Sequence, residues 1–320
     1  MGATTHDISG TAAGAQPATP GSYGIPPRGR RLPDETHLGP VRLQVANMQR
    51  SLSFYQEVLG LRTMAREGAR ASLGAHGDDR VLVELNERPG ARSAGRGGRL
   101  GLYHFAILLP DRASLGRFVR HLAGIGVQPG AGDHLVSEAL YLHDPDGLGI
   151  EVYADRPRST WRRVDRELML ATDPVDVAGL VRAAGDTQWS GMPAGTVIGH
   201  VHLHVGDLEE GAAFFSDALG FDRITWSYPG ALFLGAGGYH HHLGTNTWAG
   251  SGALPAGADD ARLLEWTIEL PDTESVGKVA QSLSEAGYPA VGVSAAEIVT
   301  QDPWGTHVRL RVAQASGREG

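Results

Sequence analysis

The chain has 320 residues, a net charge of −8 at pH 7 and no cysteine. Its length allows two domains with substantial cores, and its hydrophobic fraction of 41% is ordinary for a globular protein. The negative charge, without clusters of lysine and arginine, argues against nucleic acid or an anionic membrane as a partner. Without thiolates, any metal must be held by nitrogen and oxygen atoms.

No apolar run approaches the ~20 residues that a membrane helix needs. The N-terminus shows no basic segment followed by an apolar one, as a secretory signal would. These features predict a cytoplasmic protein. Residues 1–33 are rich in Gly, Ala, Pro, Thr and Ser, which predicts a disordered tail, and a second short tail is expected at 313–320.

The remainder of the chain repeats one unit four times. Each unit opens with a strand and continues with an amphipathic helix and several short strands. The opening strands are predicted at 38–45, 102–109, 198–205 and 264–270, and the helices after the first and third share the same apolar phase. This repetition predicts an α+β fold of four βαβββ modules with curved mixed sheets.

The four modules fall into two pairs. We predict a first domain at 36–157, a second domain at 197–312, and a linker at 158–196 that contains a short helix between 173 and 184. The sequence leaves open whether identical chains associate into a homo-oligomer.

Two histidines occupy matched places on these opening strands. Strand side chains alternate between faces, so Phe105 and Ile107 share one face and His104 takes the other. His200 stands on the corresponding face of the third module. Because the amphipathic helices must pack on the apolar face of each sheet, both histidines are expected to line a cavity on the opposite face. A lone strand histidine is more often a structural residue, but two at matched positions are less common.

A carboxylate stands on a sister strand. Glu151 lies between Ile150 and Val152, after the turn sequence at 144–147. A glutamate on a half-buried strand often faces solvent, and that reading stays open. Together with the two histidines, however, it matches the set of two His and one carboxylate that holds non-heme Fe(II).

Three consecutive histidines follow at 240–242, in a segment predicted as the last strand of the third module. Alternation would place His240 and His242 on one face and His241 on the other. Aligned with the strand of Glu151, His242 faces the cavity and could transfer a substrate proton. A surface patch that binds metal loosely is the alternative.

The motifs LYHFAILLP, IGHVHLHV and DPDGLGIEVY resemble the vicinal oxygen chelate superfamily, which includes glyoxalase, bleomycin-binding proteins and extradiol dioxygenases. With AGGYHHHLGTNTWAG, the chain resembles two-domain bacterial catechol 2,3-dioxygenases over residues 36 to 312. The resemblance implies cleavage of an aromatic diol by O₂ at Fe(II), with Mn(II) as an alternative metal. A glyoxalase-type isomerase or lyase and a metal-free aromatic-binding module are the other functions that this fold supports.

The resemblance also implies roles for individual residues. The implied metal ligands are His104, His200 and Glu151. The residues implied to handle substrate are Tyr141, His134 and an acid/base histidine, for which His242 is favoured over His241.

One departure from the family bears on where the site is built. Better-known members take their ligands from the last two modules, but here the glutamate position of the fourth module holds Arg309, and the first-strand position of the first module holds Pro40, which cannot bind a metal. The ligands therefore lie on the two middle modules, which would then pair across the linker. A rival set lies within the C-terminal half: His200, His242 and Glu265.

Overall fold

The structure, a computed structural model, describes residues 14–95 and 98–313. The predicted disorder of residues 1–13 and the tail at 314–320 lie outside the described residues. The chain between residues 14 and 33 is packed against the protein, so the predicted disorder is wrong there. Tyr23 is 7% exposed and Leu32 is 2% exposed. The composition of residues 14–33 does not predict this packing, because the apolar surface that the segment covers belongs to the rest of the chain.

The elements follow the predicted modules. The segment before them contains strand β1 (Gln16–Pro17). The first module comprises β2 (His37–Val45), α1 (Met48–Ser53, continued by a π-helical turn, Phe54–Val58), β3 (Arg62–Glu67), β4 (Arg70–Gly74) and β5 (Val81–Glu87). The second comprises β6 (Arg99–Leu108), α2 (Arg112–Gly124), β7 (Gly130–Asp133), β8 (Ser137–His143) and β9 (Gly149–Asp155).

The linker and the C-terminal half complete the chain. The linker holds a 3₁₀ turn (Arg158–Thr160), β10 (Arg162–Val164), β11 (Glu167–Leu168) and α3 (Val177–Ala183). The third module comprises β12 (Val197–His204), α4 (Leu208–Gly211, continued as a π-helix, Ala212–Ala218), β13 (Asp222–Thr225), β14 (Ala231–Gly235) and β15 (Leu243–Asn246), followed by β16 (Leu254–Pro255). The fourth comprises β17 (Arg262–Leu270), α5 (Thr273–Glu285), β18 (Ala290–Ser294), β19 (Glu297–Gln301) and β20 (His307–Val312).

Each of the two large sheets takes one module from each half of the chain. One sheet has the order β13-β14-β15-β12-β6-β9-β8-β7, and β16 pairs with β6 beside it. The other has the order β18-β19-β20-β17-β2-β5-β4-β3. The second module thus joins the third through β6 and β12, and the first joins the fourth through β2 and β17. The predicted α+β fold of four modules with mixed sheets is confirmed; the domain limits remain predictions.

The longer helices cover one face of the sheets, which leaves the other face for the site. α2 begins after Asp111, whose carboxylate accepts a hydrogen bond from the backbone N–H of Ser114, and α5 begins after Asp272 in the same way. Leu115 and Phe118 of α2 are fully buried in the same apolar core as Phe105 of β6. His104 therefore faces away from the helices. No helix in the described part of the chain is long and apolar enough to span a membrane.

Candidate metal centre

Three buried side chains converge on the face of the sheet opposite the helices. They come from three adjacent strands: His104 from β6, Glu151 from β9 and His200 from β12. His104 Nε2 and His200 Nε2 lie 3.0 Å and 3.3 Å from the same carboxylate oxygen, Glu151 Oε2. The two Nε2 atoms are 3.3 Å apart. The sequence-predicted ligand set is therefore brought to one point.

The geometry and charge of this group fit a metal ion. Two ligand atoms about 2.1 Å from a metal and at right angles lie about 3.0 Å apart, close to the separations here. Burial favours a neutral carboxyl, but the two histidines outweigh it and hold the pKa of Glu151 well below its ordinary value. Burial lowers the pKa of His104, which favours its neutral ring. An ionised carboxylate with a neutral imidazole is the state that binds a metal.

The three residues line a cavity of about 320 Å³. Its walls are largely aromatic, and Tyr103 and Trp248 are partly exposed at 40% and 44%. No lysine or arginine is among the described residues that line it. The volume is at the lower end of the range for small-molecule sites, and the lining suits a single apolar ring.

Tyr141 and His134 are brought together beside Glu151. Tyr141 on β8 is directly opposite Glu151 on β9. His134 Nδ1 lies 2.6 Å from the carbonyl oxygen of Ala171, which can only accept, so this nitrogen carries the proton. His134 Nε2 is then free to accept the hydroxyl of Tyr141 at 2.5 Å. Burial, reinforced by Glu151, raises the pKa of Tyr141 well above its usual value, so the phenol keeps its proton.

The histidine run departs from the prediction. Residues 240–242 precede β15 and are not part of a strand, so alternation does not govern their directions. His241 lines the cavity, with its ring centroid 4.2 Å from that of His200. His242 lines a separate, smaller cavity and accepts a hydrogen bond from the backbone N–H of Ala236. The predicted orientation of His242 is wrong, and His241 is the histidine beside the ligand group.

The alignment behind that prediction was also displaced. Glu151 on β9 pairs with Ala106 on β6. In the third module, the corresponding pair joins His202 on β12 and Gly244 on β15. Gly244 therefore fills the place of Glu151, not His242.

The rival ligand set is not assembled. Glu265 lies on β17 in the other large sheet, where Arg309 and Arg42 bind its carboxylate. His104, Glu151 and His200 are the only His, Asp and Glu group within metal-binding distance among residues 14–95 and 98–313.

His202 and Asn246 had no predicted role. Alternation places His202 on the face of His200, which was the available signal. Its ring lines the cavity, 5.0 Å from that of His104 between centroids, and its Nε2 lies 2.9 Å from Nδ2 of Asn246. Burial lowers the pKa of His202 well below its ordinary value. Asn246 has no local sequence signature that marks it as a partner.

Comparisons with known proteins agree with this architecture. The family model described as Glyoxalase/Bleomycin resistance protein/Dioxygenase superfamily matches residues 37–152 and 197–310. A Bacillus subtilis (strain 168) protein named Catechol-2,3-dioxygenase is 49% identical over 259 residues, covering 80% of this chain and 90% of the relative.

Solved structures share the fold at low sequence identity. Glyoxalase I from Zea mays has a TM-score of 0.53 at 19% identity, covering 87% of this chain and 92% of that chain. A Bacillus subtilis structure described provisionally as a dioxygenase has a TM-score of 0.59 at 12% identity, covering 89% and 86%. With both halves of the chain matched by the family model, this protein belongs to the Glyoxalase/Bleomycin resistance protein/Dioxygenase superfamily.

Proposed function

We propose that this protein is an Fe(II)-dependent extradiol dioxygenase that cleaves a catechol ring beside its two hydroxyls. The observation that carries the proposal is the buried group of His104, Glu151 and His200, which lines an aromatic cavity. Two histidines and one carboxylate leave coordination positions open for substrate and O₂. The name of the 49% identical relative, Catechol-2,3-dioxygenase, supports the same reaction.

Fe(II) is the metal that we propose, and Mn(II) suits the same nitrogen and oxygen donors. When bound, such a metal would lower the pKa of a substrate hydroxyl and pass electrons from the ring to O₂. The ring C–C bond next to the hydroxyls breaks and both atoms of O₂ enter the product. The balance therefore needs no further reductant.

His241 is placed to accept a substrate proton. Burial, and then the neighbouring His200 and His240, lower its pKa well below the ordinary value, so its ring is neutral at pH 7. A neutral imidazole beside the ligand group can take the second hydroxyl proton and return it when the ring opens. Its Nδ1 lies 2.8 Å from Nδ1 of His240, whose Nε2 meets Asp155 at 2.9 Å. These contacts hold the ring of His241 in position.

Tyr141 and the aromatic walls complete the proposed site. The phenol of Tyr141 donates its proton to His134, so its oxygen can accept a hydrogen bond from a substrate hydroxyl. Phe233 and Trp248 flank the space that a ring would occupy. Their apolar surface excludes water from the reaction. A cytoplasmic location and a homo-oligomeric state stay predictions.

The test is to load the purified protein with Fe(II) without oxygen, add catechol, and then admit air. We expect a yellow ring-opened product and uptake of one O₂ per catechol. Samples loaded with Mn(II) or Zn(II) compare the metals. Turnover of a hemithioacetal with Zn(II), without ring cleavage, would assign the protein to the isomerases instead. Binding of catechol without any metal would indicate a binding module.

A further inference from the structure

Asn246 is held in one orientation beside His202, which lines the cavity. The backbone N–H of Trp248 can only donate, and it meets Oδ1 of Asn246 at 3.0 Å. The atom so assigned is therefore the amide oxygen, and the amide nitrogen points the other way. His204 Nδ1 lies 2.6 Å from the same oxygen and donates to it as well. Asn246 is fully buried, so water does not compete for these bonds.

This orientation fixes the position of the proton on His202. The amide nitrogen of Asn246 donates to Nε2 of His202 at 2.9 Å, so Nε2 must accept and carries no proton. A neutral imidazole then carries its proton on Nδ1. That N–H has no hydrogen-bond partner among the described residues, and the ring, 4% exposed, lines the cavity. The Nδ1–H group of His202 is therefore available to a ligand that offers an acceptor in the cavity.

The ring of His202 is also held from behind. It lies against Gly244, where a methyl group would come within 2.9–3.0 Å of three ring atoms. Gly244 stands at the position of Glu151 but has no side chain. The imidazole of His202 occupies the space that a side chain there would take.

His202 stands beside the ligand group, on the side away from Tyr141. It is directly opposite His104 across β12 and β6. The ring centroid of His104 is 5.0 Å from that of His202 and 5.6 Å from that of Tyr141. His202 and Tyr141 thus flank the proposed metal ligand from opposite sides, and of the two only His202 has an N–H or O–H that is not already donated.

We propose that His202 donates its Nδ1 hydrogen to an oxygen atom bound in the cavity, and that Asn246 sets the tautomer that makes this donation available. The acceptor is an oxygen of the ring substrate or dioxygen itself. The inference rests on the proposed function and extends it to a residue that directly contacts a reactant. His204 acts only through Asn246.

The tautomer can be measured without turnover. In ¹⁵N-histidine-labelled, metal-free protein, long-range ¹H–¹⁵N correlation spectra distinguish protonated from unprotonated ring nitrogens, and the signals lost in His202→Asn assign the residue. We expect a protonated Nδ1 and an unprotonated Nε2. In Asn246→Asp the carboxylate can only accept, so Nε2 of His202 becomes protonated. His204→Gln is the matched control, because Trp248 still orients the amide and the pattern of His202 stays unchanged.

The donation is tested with the Fe(II)-loaded protein. His202→Leu should bind iron normally and lose at least ~10-fold in one of two measurements, as for loss of one donor to a developing oxyanion. A weaker anaerobic affinity for 4-nitrocatechol indicates the ring oxygen as acceptor. A lower kcat/KM for O₂ with unchanged 4-nitrocatechol affinity indicates dioxygen. His202→Asn, which keeps a neutral N–H donor, should recover most of the loss.

Three results would overturn the inference: a protonated Nε2 in the wild type, no change in either measurement for His202→Leu, or no recovery in His202→Asn. Failure of the wild-type iron protein to cleave catechol would instead reject the proposed function. The tautomer and the 4-nitrocatechol affinity would still be measurable in that case.

Discussion

Arg309 on β20 forms a bidentate ion pair with Glu265 on β17, with nitrogen–oxygen distances of 2.8 Å and 3.0 Å. Register places Glu265 where the metal-facing sheet has His200, and Arg309 where it has Gly244. Arg42 pairs with the same glutamate from β2 at 3.2 Å. In the second sheet, two guanidinium groups therefore bind the carboxylate that stands at the position of His200. In the first sheet, His200 is available as a metal ligand.

This relationship predicts that Glu265→Gln keeps iron binding and loses stability. Arg309 and Arg42 would lose the carboxylate that they share but keep Glu297 and Glu84 as partners, so we expect a cost of about 1–3 kcal/mol of the free energy of unfolding. Urea unfolding measures the cost, and iron stoichiometry with catechol cleavage measures the site. Loss of iron in this variant would show that the second sheet contributes to the metal centre.

His104→Ala, His200→Ala and Glu151→Gln should each lose most bound iron and nearly all ring cleavage, because each removes one of three proposed ligands. Iron per chain and catechol turnover are the measurements, and Glu265→Gln is the matched control for an altered glutamate. Normal iron content and turnover in any one of the three would remove that residue from the ligand set.

His241→Phe should keep its iron and bind catechol, but lower turnover by ~10²-fold or more, as expected for loss of an acid/base group. His242→Gln should be close to wild type, because that side chain lies in the smaller cavity and glutamine can still accept from Ala236. Steady-state kinetics with iron analysis compares them. The reverse pattern would return the acid/base role to His242.

The cavity should reject catechols that carry a carboxylate. Among the described residues its lining offers no lysine or arginine, and its acidic side chain, Glu151, is one of the proposed metal ligands. Burying an unpaired carboxylate costs several kcal/mol, so kcat/KM should favour 4-methylcatechol over 3,4-dihydroxyphenylacetate by ~100-fold or more.

Adding a cation to the cavity wall tests whether its absence causes that preference. Thr172 lies on the cavity wall and is half-buried. Thr172→Arg should narrow the ratio between the two substrates by ~10-fold or more, whereas the neutral control Thr172→Gln should not. An unselective wild type would mean that solvent or an unrecognised cation meets the carboxylate.

Asp144→Asn should change how stability depends on pH. Burial raises the pKa of Asp144 to about 7, although backbone N–H groups of Leu148 and Asp146 donate to it. An unfolded aspartate loses its proton near 3.9, so the folded state holds more protons between these values and loses stability as pH rises through this window. The asparagine of the variant does not titrate, so the free energy of unfolding of Asp144→Asn relative to the wild type should rise from pH 5 to pH 7. The expected rise is up to about 1.4 kcal/mol per pH unit. Urea unfolding at several pH values tests this, and parallel profiles for the two proteins would contradict it.

Strand alternation placed His104 and His200 correctly because a period of two leaves no ambiguity within a regular strand. It failed at His242 because residues 240–242 lie in an irregular segment before β15. In such a segment, side chains do not alternate between the two faces of a sheet. The packing of Tyr23 was invisible in its own segment because the surface that it covers is remote in sequence. Strand pairing across the halves has no local signature, and only the placement of the ligands pointed to it.

The pairing of modules also sets an order in which the sheets can close. β6 pairs with β12, and both lie in sequence between β2 and β17, which pair with each other. The first pair is the inner pair and the second is the outer pair. As the ribosome releases the chain, the inner sheet has all its strands once β15 and the short β16 have emerged, before the fourth module exists. The first module must wait for strands made last, and its exposed edge is unpaired during that interval. The metal centre can therefore form on a nascent chain whose other sheet is still open.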